Sequence, residues 1–213
     1  MTSAPELLAP HAVRLAGYTD AAGAAARFGL PADDTAEHLL DAAARGWVVR
    51  VPLTDPPAWS LTDAGRGENE RALARELAGA EVRAPGAAAV VRAGYEEFAE
   101  LNGRFLDACT RWQLRPVPGD PLAANEHDDW RWDARVIEDL GSLGRRLGPL
   151  EARLVAVLDR FAGYATRYAL TFGRVERGEH GWVDGVGRDS CHAVWFELHE
   201  DLLATLGIAR GSE

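Results

Sequence analysis

The stretch GLPADDTAEHLLDAAARGWVVR, residues 29–50, together with AWSLTDAGR, residues 58–66, decides the fold. Its first part predicts a helix from about Ala32 to Arg45, with Leu39, Leu40 and Ala43 as the inward-facing positions. WVVRV and AWSL, which are apolar and rich in strand-forming residues, then predict two strands of a hairpin, residues 47–51 and 58–61.

The residues before this helix predict two more helices and a tight turn. His11–Gly17 begins the pattern as a short helix, and Thr19 or Asp20 can cap a second helix that ends near Leu30. Gly29–Leu30–Pro31 suits a turn between helices, because glycine tolerates positive φ at a helix C-terminus and proline starts the next helix.

The residues after it complete a domain of residues 1–80. Pro52–Pro57 predicts the hairpin turn, and Thr62 can cap a long following helix. Three helices, a two-stranded wing and a closing helix follow the order of a winged helix-turn-helix.

The residues quoted above resemble the MarR-like winged-helix transcriptional regulators, over roughly the first third of the chain. The match rests on residues 29–50 and on WSLTDAGR, residues 59–66. The resemblance implies the fold and, through it, DNA binding and transcription regulation. The same fold also serves as a protein-protein interaction module, so an acidic interaction module without DNA binding is the alternative.

The helix that would enter the DNA groove is acidic, which conflicts with this function. It carries Asp33, Asp34, Glu37 and Asp41, with Arg45 as its one arginine. The first two carboxylates lie in the first turn, where they favour the helix dipole. The other two have no such explanation, and each carboxylate near a phosphate opposes binding.

The charge of the whole chain points the same way. The formal net charge is −10, every basic side chain is arginine, and residues 1–80 and 81–213 carry −4 and −6. A negative field slows the approach to a polyanion, so DNA binding would depend on a local cluster of positive groups. We expect DNA contacts from Thr35, His38, Arg45, Arg50 and Arg66, with Arg14 and Arg27 as further positive groups.

The second predicted domain, residues 81–213, is an antiparallel helical bundle for dimerisation or effector sensing. Its first helix has one apolar stripe with alternating spacings of four and three: Val91, Tyr95, Phe98, Asn102, Phe105, Cys109 and Trp112. Further helices are expected over about 133–147, from Pro149 with a continuation or kink at Gly163, and over 190–206. Gly148–Pro149 is expected to break the second from the third.

Three segments of this domain also resemble an uncharacterised group of actinobacterial proteins that are usually labelled MarR-type regulators. They are FLDACTRWQLRP (105–116), FAGYATRY (161–168) and DSCHAVWFELHEDLLATLG (189–207). This resemblance implies no catalytic residue.

A small-molecule effector pocket is the functional interpretation of the aromatic residues of the bundle, and a packed core is the structural one. Aromatic walls with a few polar groups suit a ligand. The candidate residues are Tyr95, Phe98, Asn102, Trp112, Tyr164, Tyr168, His192, Trp195, Phe196 and His199. Asn102 interrupts the stripe and must either bond a neighbouring helix or face a ligand.

No metal and no cofactor are predicted, and no enzyme signature is present. His192 and His199 are about 10.5 Å apart along a helix, too far to share one ion. A metal would need His127, Asp128 or Asp129 from the preceding loop, or Glu197 and Glu200 beside them. Asp189, Ser190, Cys191 and His192 suggest a catalytic triad, but helix capping explains the first two more simply. A ligand-binding protein or enzyme centred on this domain remains a further alternative.

The chain is expected to be cytoplasmic and homodimeric. The N-terminus MTSAPELLAPHAV has neither a basic start nor an apolar run long enough for a signal, and no window suits a membrane span. Cys109 and Cys191 are expected as two buried thiols. DNA, a protein partner and a small-molecule effector are the binding partners considered, and no membrane is expected to bind.

Overall fold

The computed structural model describes residues 2–52 and 57–209, which form a mainly helical fold with one small antiparallel sheet. The chain folds as two compact units: unit 1 comprises Met1–Arg92, Val155–Arg160 and Glu200–Glu213, and unit 2 comprises Ala93–Leu154 and Phe161–His199. The α-helices of the described residues are α1 (Pro5–Ala16), α2 (Ala21–Phe28), α3 (Ala32–Ala44), α4 (Asp63–Arg83), α5 (Ala87–Gln113), α6 (Trp130–Val155), α7 (Tyr164–Glu176) and α8 (Cys191–Leu206). The strands are β1 (Tyr18–Thr19), β2 (Val48–Val51) and β3 (Ala58–Leu61).

The helix and the two strands predicted from residues 29–66 are confirmed as α3, β2 and β3. The first helix, α1, begins at Pro5 and therefore extends further toward the N-terminus than predicted. In the predicted hairpin turn, residues 53–56 lie outside the described residues.

The sheet has three strands, where only two were predicted. β3 lies between β1 and β2 and pairs antiparallel with both, with Thr19 opposite Trp59 and Arg50 opposite the same tryptophan on the other side. β1 is two residues long, too short for the alternation that identifies a strand in a sequence. The sequence pattern therefore does not predict a strand at Tyr18 and Thr19.

Local hydrogen bonds explain why the helices of unit 1 begin and end where they do. Asp20 accepts from Gly23 N at 2.7 Å and caps α2, and Gly29 ends α2 with φ of 64°. Thr62 accepts from Gly65 N and caps α4. A Cβ on Gly65 would lie 1.9 Å from the Trp47 carbonyl oxygen, so only glycine fits where α4 begins beside β2.

The core of unit 1 lies between α1, α2, α3 and the sheet. Its buried members are Ala9, Ala12, Val13, Ala24, Leu39, Ala42, Val48 and Trp59. The prediction that Leu40 faces inward is wrong, since its side chain is 50% exposed. Leu39 and Leu40 are about 100° apart around the helix, and Leu39 takes the core position.

In unit 2, α6 runs through Gly148 and Pro149, so the predicted helix break there is wrong. Both residues are exposed, so the backbone carbonyl that loses its partner to the proline can bond to water. The chain does change direction at Gly163, which has φ of 98° and precedes α7. α8 begins where predicted, and Ser190 Oγ accepts from Ala193 N.

The stripe on α5 packs against aromatic residues of unit 2, since Phe105 contacts the Trp195 and Tyr168 rings. A Cβ on Gly144 would lie 2.3 Å from the Tyr168 ring, and one on Gly141 would lie 2.7 Å from Phe172. Small residues on α6 thus let the rings of α7 approach closely. Among the described residues, none of the helices combines the length and the hydropathy that a membrane span requires.

Candidate functional site

The exposed surface of α3 is acidic, as the sequence predicted. Asp33, Asp34, Glu37 and Asp41 are all exposed, and Leu40 lies among them. Thr35, expected to contact DNA, is fully buried, and its hydroxyl donates to the Pro31 carbonyl at 2.8 Å. Its hydroxyl therefore bonds the backbone of the preceding turn, and the buried side chain is not available to a groove.

Three predicted DNA-contacting arginines lie at the surface of unit 1. Arg45 stacks over the Trp47 ring and Arg50 over the Trp59 ring, each with its guanidinium carbon 4.9 Å from the ring centre. Arg66 is half exposed, with one nitrogen 3.9 Å from a Glu200 oxygen. Cation–π stacking leaves the guanidinium edges free to donate to an acceptor.

The other positive candidates are less accessible. His38 is half-buried on α3. Arg14 is buried, where its Nε donates to Glu200 at 2.8 Å and one terminal nitrogen donates to Glu70 at 2.9 Å. Arg27 is half-buried, and its guanidinium lies over the Phe28 ring.

Arg14 belongs to a network of charges buried in unit 1 that sequence reasoning missed. At its centre Asp201 is fully buried and accepts from Arg160, while His11 Nε2 lies 3.1 Å from the same carboxylate oxygen. Arg160 also donates to Glu76 at 2.8 Å and to the Thr205 hydroxyl at 2.7 Å. These groups come from α1, α4, α8 and residues 155–160 of unit 1.

The ionisation of Asp201 depends on these neighbours. Burial opposes the charged form, but the charges of Arg160 and His11 outweigh it and hold the pKa of this carboxyl well below its usual range. A charge buried in this way stabilises a fold only while its partners remain. We therefore interpret the network as a structural one that stabilises unit 1.

The predicted ligand-binding aromatics form a packed core in unit 2. Phe98, Trp112, Tyr164, Tyr168 and Trp195 are buried. Trp195 stacks on Phe105 with ring centres 4.3 Å apart and an interplanar angle of 3°. Tyr168 donates its hydroxyl hydrogen to the Leu140 carbonyl at 3.0 Å. Neighbouring rings cover one another here, as in a protein interior.

Asn102 of α5 makes a hydrogen bond to α8, which is the structural role predicted from the sequence as the alternative to a ligand contact. Its side-chain oxygen accepts from Trp195 Nε1 at 3.0 Å. Tyr95 and His192 are half-buried, His199 packs against Phe98 with ring centres 5.4 Å apart, and Phe196 is 39% exposed.

The suggested triad at the start of α8 has a structural explanation. Ser190 caps the helix, and Asp189 accepts from Arg167 at 3.0 Å. Burial raises the pKa of the Cys191 thiol to about 12, and that of Cys109 likewise. Both cysteines are buried free thiols, as predicted. A thiol with so high a pKa is not a nucleophile near neutral pH.

Unit 2 brings together a second polar group, of His127, Asp133 and His180. One potential ligand atom from each lies within 4.8 Å of the others. His127 Nδ1 is 3.1 Å from Asp133 Oδ2. Of these residues, only His127 was considered as a metal ligand from the sequence, and its expected partners were different. Asp128 and Asp129 instead accept from Arg115, at 2.6 and 3.1 Å.

Unit 1 also contains a cavity of about 260 Å³ beside two residues of the predicted DNA-binding region. Its lining includes Arg45, Trp47 and Asn69, together with Leu7, Pro10 and Ala72. Asn69 is buried, and its side-chain oxygen is 3.2 Å from His11 Nδ1. The lining also includes Glu6, Glu68 and Arg75, so apolar side chains and charged groups of both signs line the cavity.

Comparison with known proteins returned no matching family model, no similar curated protein and no similar solved structure.

Proposed function

We propose that residues 1–80 form a winged helix-turn-helix domain of a transcription regulator that binds duplex DNA. The observation that carries this proposal is the order α1–β1–α2–α3–β2–β3–α4 with the sheet order β1–β3–β2. In a winged helix-turn-helix the recognition helix enters the major groove, and we propose this role for α3 and the role of the wing for β2 and β3.

Arg45, Arg50 and Arg66 are the residues proposed to contact phosphates. Arg45 follows α3 directly, Arg50 lies on β2, and Arg66 lies in the first turn of α4. Three phosphate contacts predict a slope of about −2.7 for log affinity against log salt, or about 40-fold weaker binding at 200 mM than at 50 mM salt.

Fluorescence anisotropy with duplexes from the chain's own promoter region, and with shuffled duplexes, tests this proposal. The R50A variant should reduce the salt slope by about 0.9. R104A, which removes an exposed arginine of α5, is the matched control and should leave the slope unchanged. Absence of selective, salt-dependent binding at micromolar protein would overturn the proposal.

The second candidate is a protein-interaction module, and the surface of α3 favours it. Leu40 is half exposed on the same helix as the exposed carboxylates of Glu37 and Asp41. An apolar contact surrounded by charge is typical of a protein interface. The partner would be a basic surface with an apolar side chain at its centre.

The double reversal E37R/D41R separates the two candidates. If α3 faces DNA, two repulsive contacts become attractive and DNA affinity should rise at least about tenfold. If α3 binds a basic protein, a stoichiometric complex purified with the wild-type chain should be lost in this variant. E96R/E100R on α5 exchanges the same charges elsewhere and serves as the control.

We further propose that unit 1 binds a small-molecule effector and that the protein is a homodimer. The cavity beside Arg45 suits a small-molecule effector better than the packed rings of unit 2, because its occupant would contact a residue proposed to bind DNA. A thermal-shift screen, repeated with A72W to fill the cavity, tests the effector, and light scattering after gel filtration tests the dimer. The helical residues 81–213 are proposed to contain the dimer surface.

A further inference from the structure

The group of His127, Asp133 and His180 has the chemistry of a transition-metal site. Two imidazoles and one carboxylate are ligands that Zn²⁺ and related first-row divalent ions accept. The three residues come from the loop before α6, from α6 itself and from a short 3₁₀ helix, His180–Trp182. The fold thus brings side chains from three separate segments of unit 2 close together.

The distances are close to those a bound ion requires. Tetrahedral zinc with bonds near 2.0–2.1 Å holds its ligand atoms about 3.3 Å apart. His127 Nδ1 and Asp133 Oδ2 are already 3.1 Å apart, and the largest separation within the group is below 4.8 Å. His180 is partly exposed, so a small side-chain rotation can bring its nitrogen to bonding distance.

Asn125 holds two of the ligands in position, and its Oδ1 accepts from His127 N at 3.2 Å. Asn125 Nδ2 donates to Asp133 Oδ1 at 2.9 Å and to the Trp112 carbonyl at 3.0 Å. Asp133 is buried, so its second oxygen is directed to His127 by this bond. Partners that orient a ligating carboxylate are a regular part of metal sites.

The backbone and the packing point to the same place. His127 has φ of 57°, and among the described residues it is the one non-glycine residue with positive φ. Such a conformation costs free energy and is concentrated at functional sites. The Trp112 ring contacts both imidazoles, with ring centres 4.4 Å from His127 and 5.2 Å from His180. It forms an apolar wall on one side of the group.

From this geometry we infer that His127, Asp133 and His180 bind one first-row divalent transition-metal ion, with Zn²⁺ as the best-fitting ion. The three protein ligands leave a fourth position for water or for a ligand atom from another molecule. The ion ties the loop of residues 114–129 to the 3₁₀ helix. The inference is independent of the proposed DNA binding, because all three ligands lie in unit 2.

Zn²⁺ titration by calorimetry, on tag-free protein first treated with a chelator, tests the inference. We expect one ion per chain, and an at least tenfold weaker affinity for H180Q and for D133N. N125S should weaken binding about 10- to 100-fold, because the carboxylate loses its orienting donor. Co²⁺ titration should show the intense visible absorption of a low-symmetry site in the wild type and its loss in H180Q.

H192Q removes a half-buried histidine of unit 2 outside the group and is the matched control for adventitious imidazole binding. It should bind Zn²⁺ like the wild type. H180Q is the decisive variant, because it changes a partly exposed side chain, and circular dichroism confirms that it remains folded. Less than about half an equivalent of Zn²⁺ bound to the wild type, or equal affinity in H180Q, would overturn the inference.

Discussion

Replacing Asp201 with asparagine should destabilise unit 1 far more than the same replacement at an exposed aspartate would. Asp201 is fully buried and bonded to Arg160, with His11 Nε2 3.1 Å away. Asparagine has nearly the same size, so the change removes charge and leaves the space filled. Removing one partner of a buried ion pair leaves the other charge uncompensated, which costs about 3–5 kcal/mol.

This cost should appear as a lower free energy of unfolding in urea at pH 7, and as a fall in Tm of about 6–20 °C for a chain of this size. D139N is the matched control. It changes an aspartate that also accepts from an arginine, Arg111 at 2.8 Å, but its side chain is 46% exposed. An exposed pair contributes less than about 1 kcal/mol. If D201N and D139N unfold at similar urea concentrations, the buried network does not hold unit 1 together.

The lowered pKa of Asp201 determines how the loss of unfolding free energy in D201N depends on pH. A carboxyl whose pKa is lower folded than unfolded contributes stability above the unfolded value of about 3.9. That contribution is lost as pH falls through the folded pKa. The difference between wild type and D201N should therefore shrink as pH falls below about 4. A difference that grows below pH 4 would contradict the assignment of a charged Asp201.

Three further predictions concern individual residues. G65A should lower the free energy of unfolding by at least about 2 kcal/mol, because its Cβ would lie 1.9 Å from the Trp47 backbone oxygen. G67A is the control, since the nearest atom is a flexible arginine nitrogen at 3.6 Å, and equal Tm values for G65A and G67A would refute the steric argument. N102A should lower the free energy of unfolding by about 1–3 kcal/mol by leaving Trp195 Nε1 without its acceptor, whereas a stability equal to the wild type would favour a ligand role for Asn102. Cys109 and Cys191 should react with a thiol reagent at pH 8 only after unfolding, since both are buried with pKa values near 12, and rapid reaction of either in the native chain would refute this.

The local elements could be predicted from the sequence because short-range chemistry determines them. The α2–α3 turn depends on Gly29, and the start of α4 depends on Thr62 and Gly65. β1 could not be predicted, because two residues carry no periodic signal and the strand forms only by pairing with β3. The course of α6 through Pro149 depends on exposure of that turn, which a local pattern does not encode.

The polar clusters could not be predicted because their members are far apart in the sequence. His11 and Asp201 are 190 positions apart, and Arg160 and Asp201 are 41 apart. His127 could be recognised as a candidate ligand, but nothing in its neighbourhood indicates that His180 lies beside it. An aromatic stripe with one polar residue is equally typical of a core and of a ligand site, and only the Asn102–Trp195 bond distinguishes them.

The buried network also sharpens the charge argument against DNA binding. Counted along the sequence, Arg14 could offset the carboxylates of α3, but its guanidinium is buried against Glu200 and Glu70. Arg27 is also half-buried, so three exposed arginines of the predicted contact set, Arg45, Arg50 and Arg66, are left against the four carboxylates of α3. DNA binding by the wild-type protein would therefore have to depend mainly on Arg50 of β2 and on the shape of the DNA, because the carboxylates of α3 oppose it. That is why the sign of the E37R/D41R effect, more than the wild-type affinity, decides what this surface does.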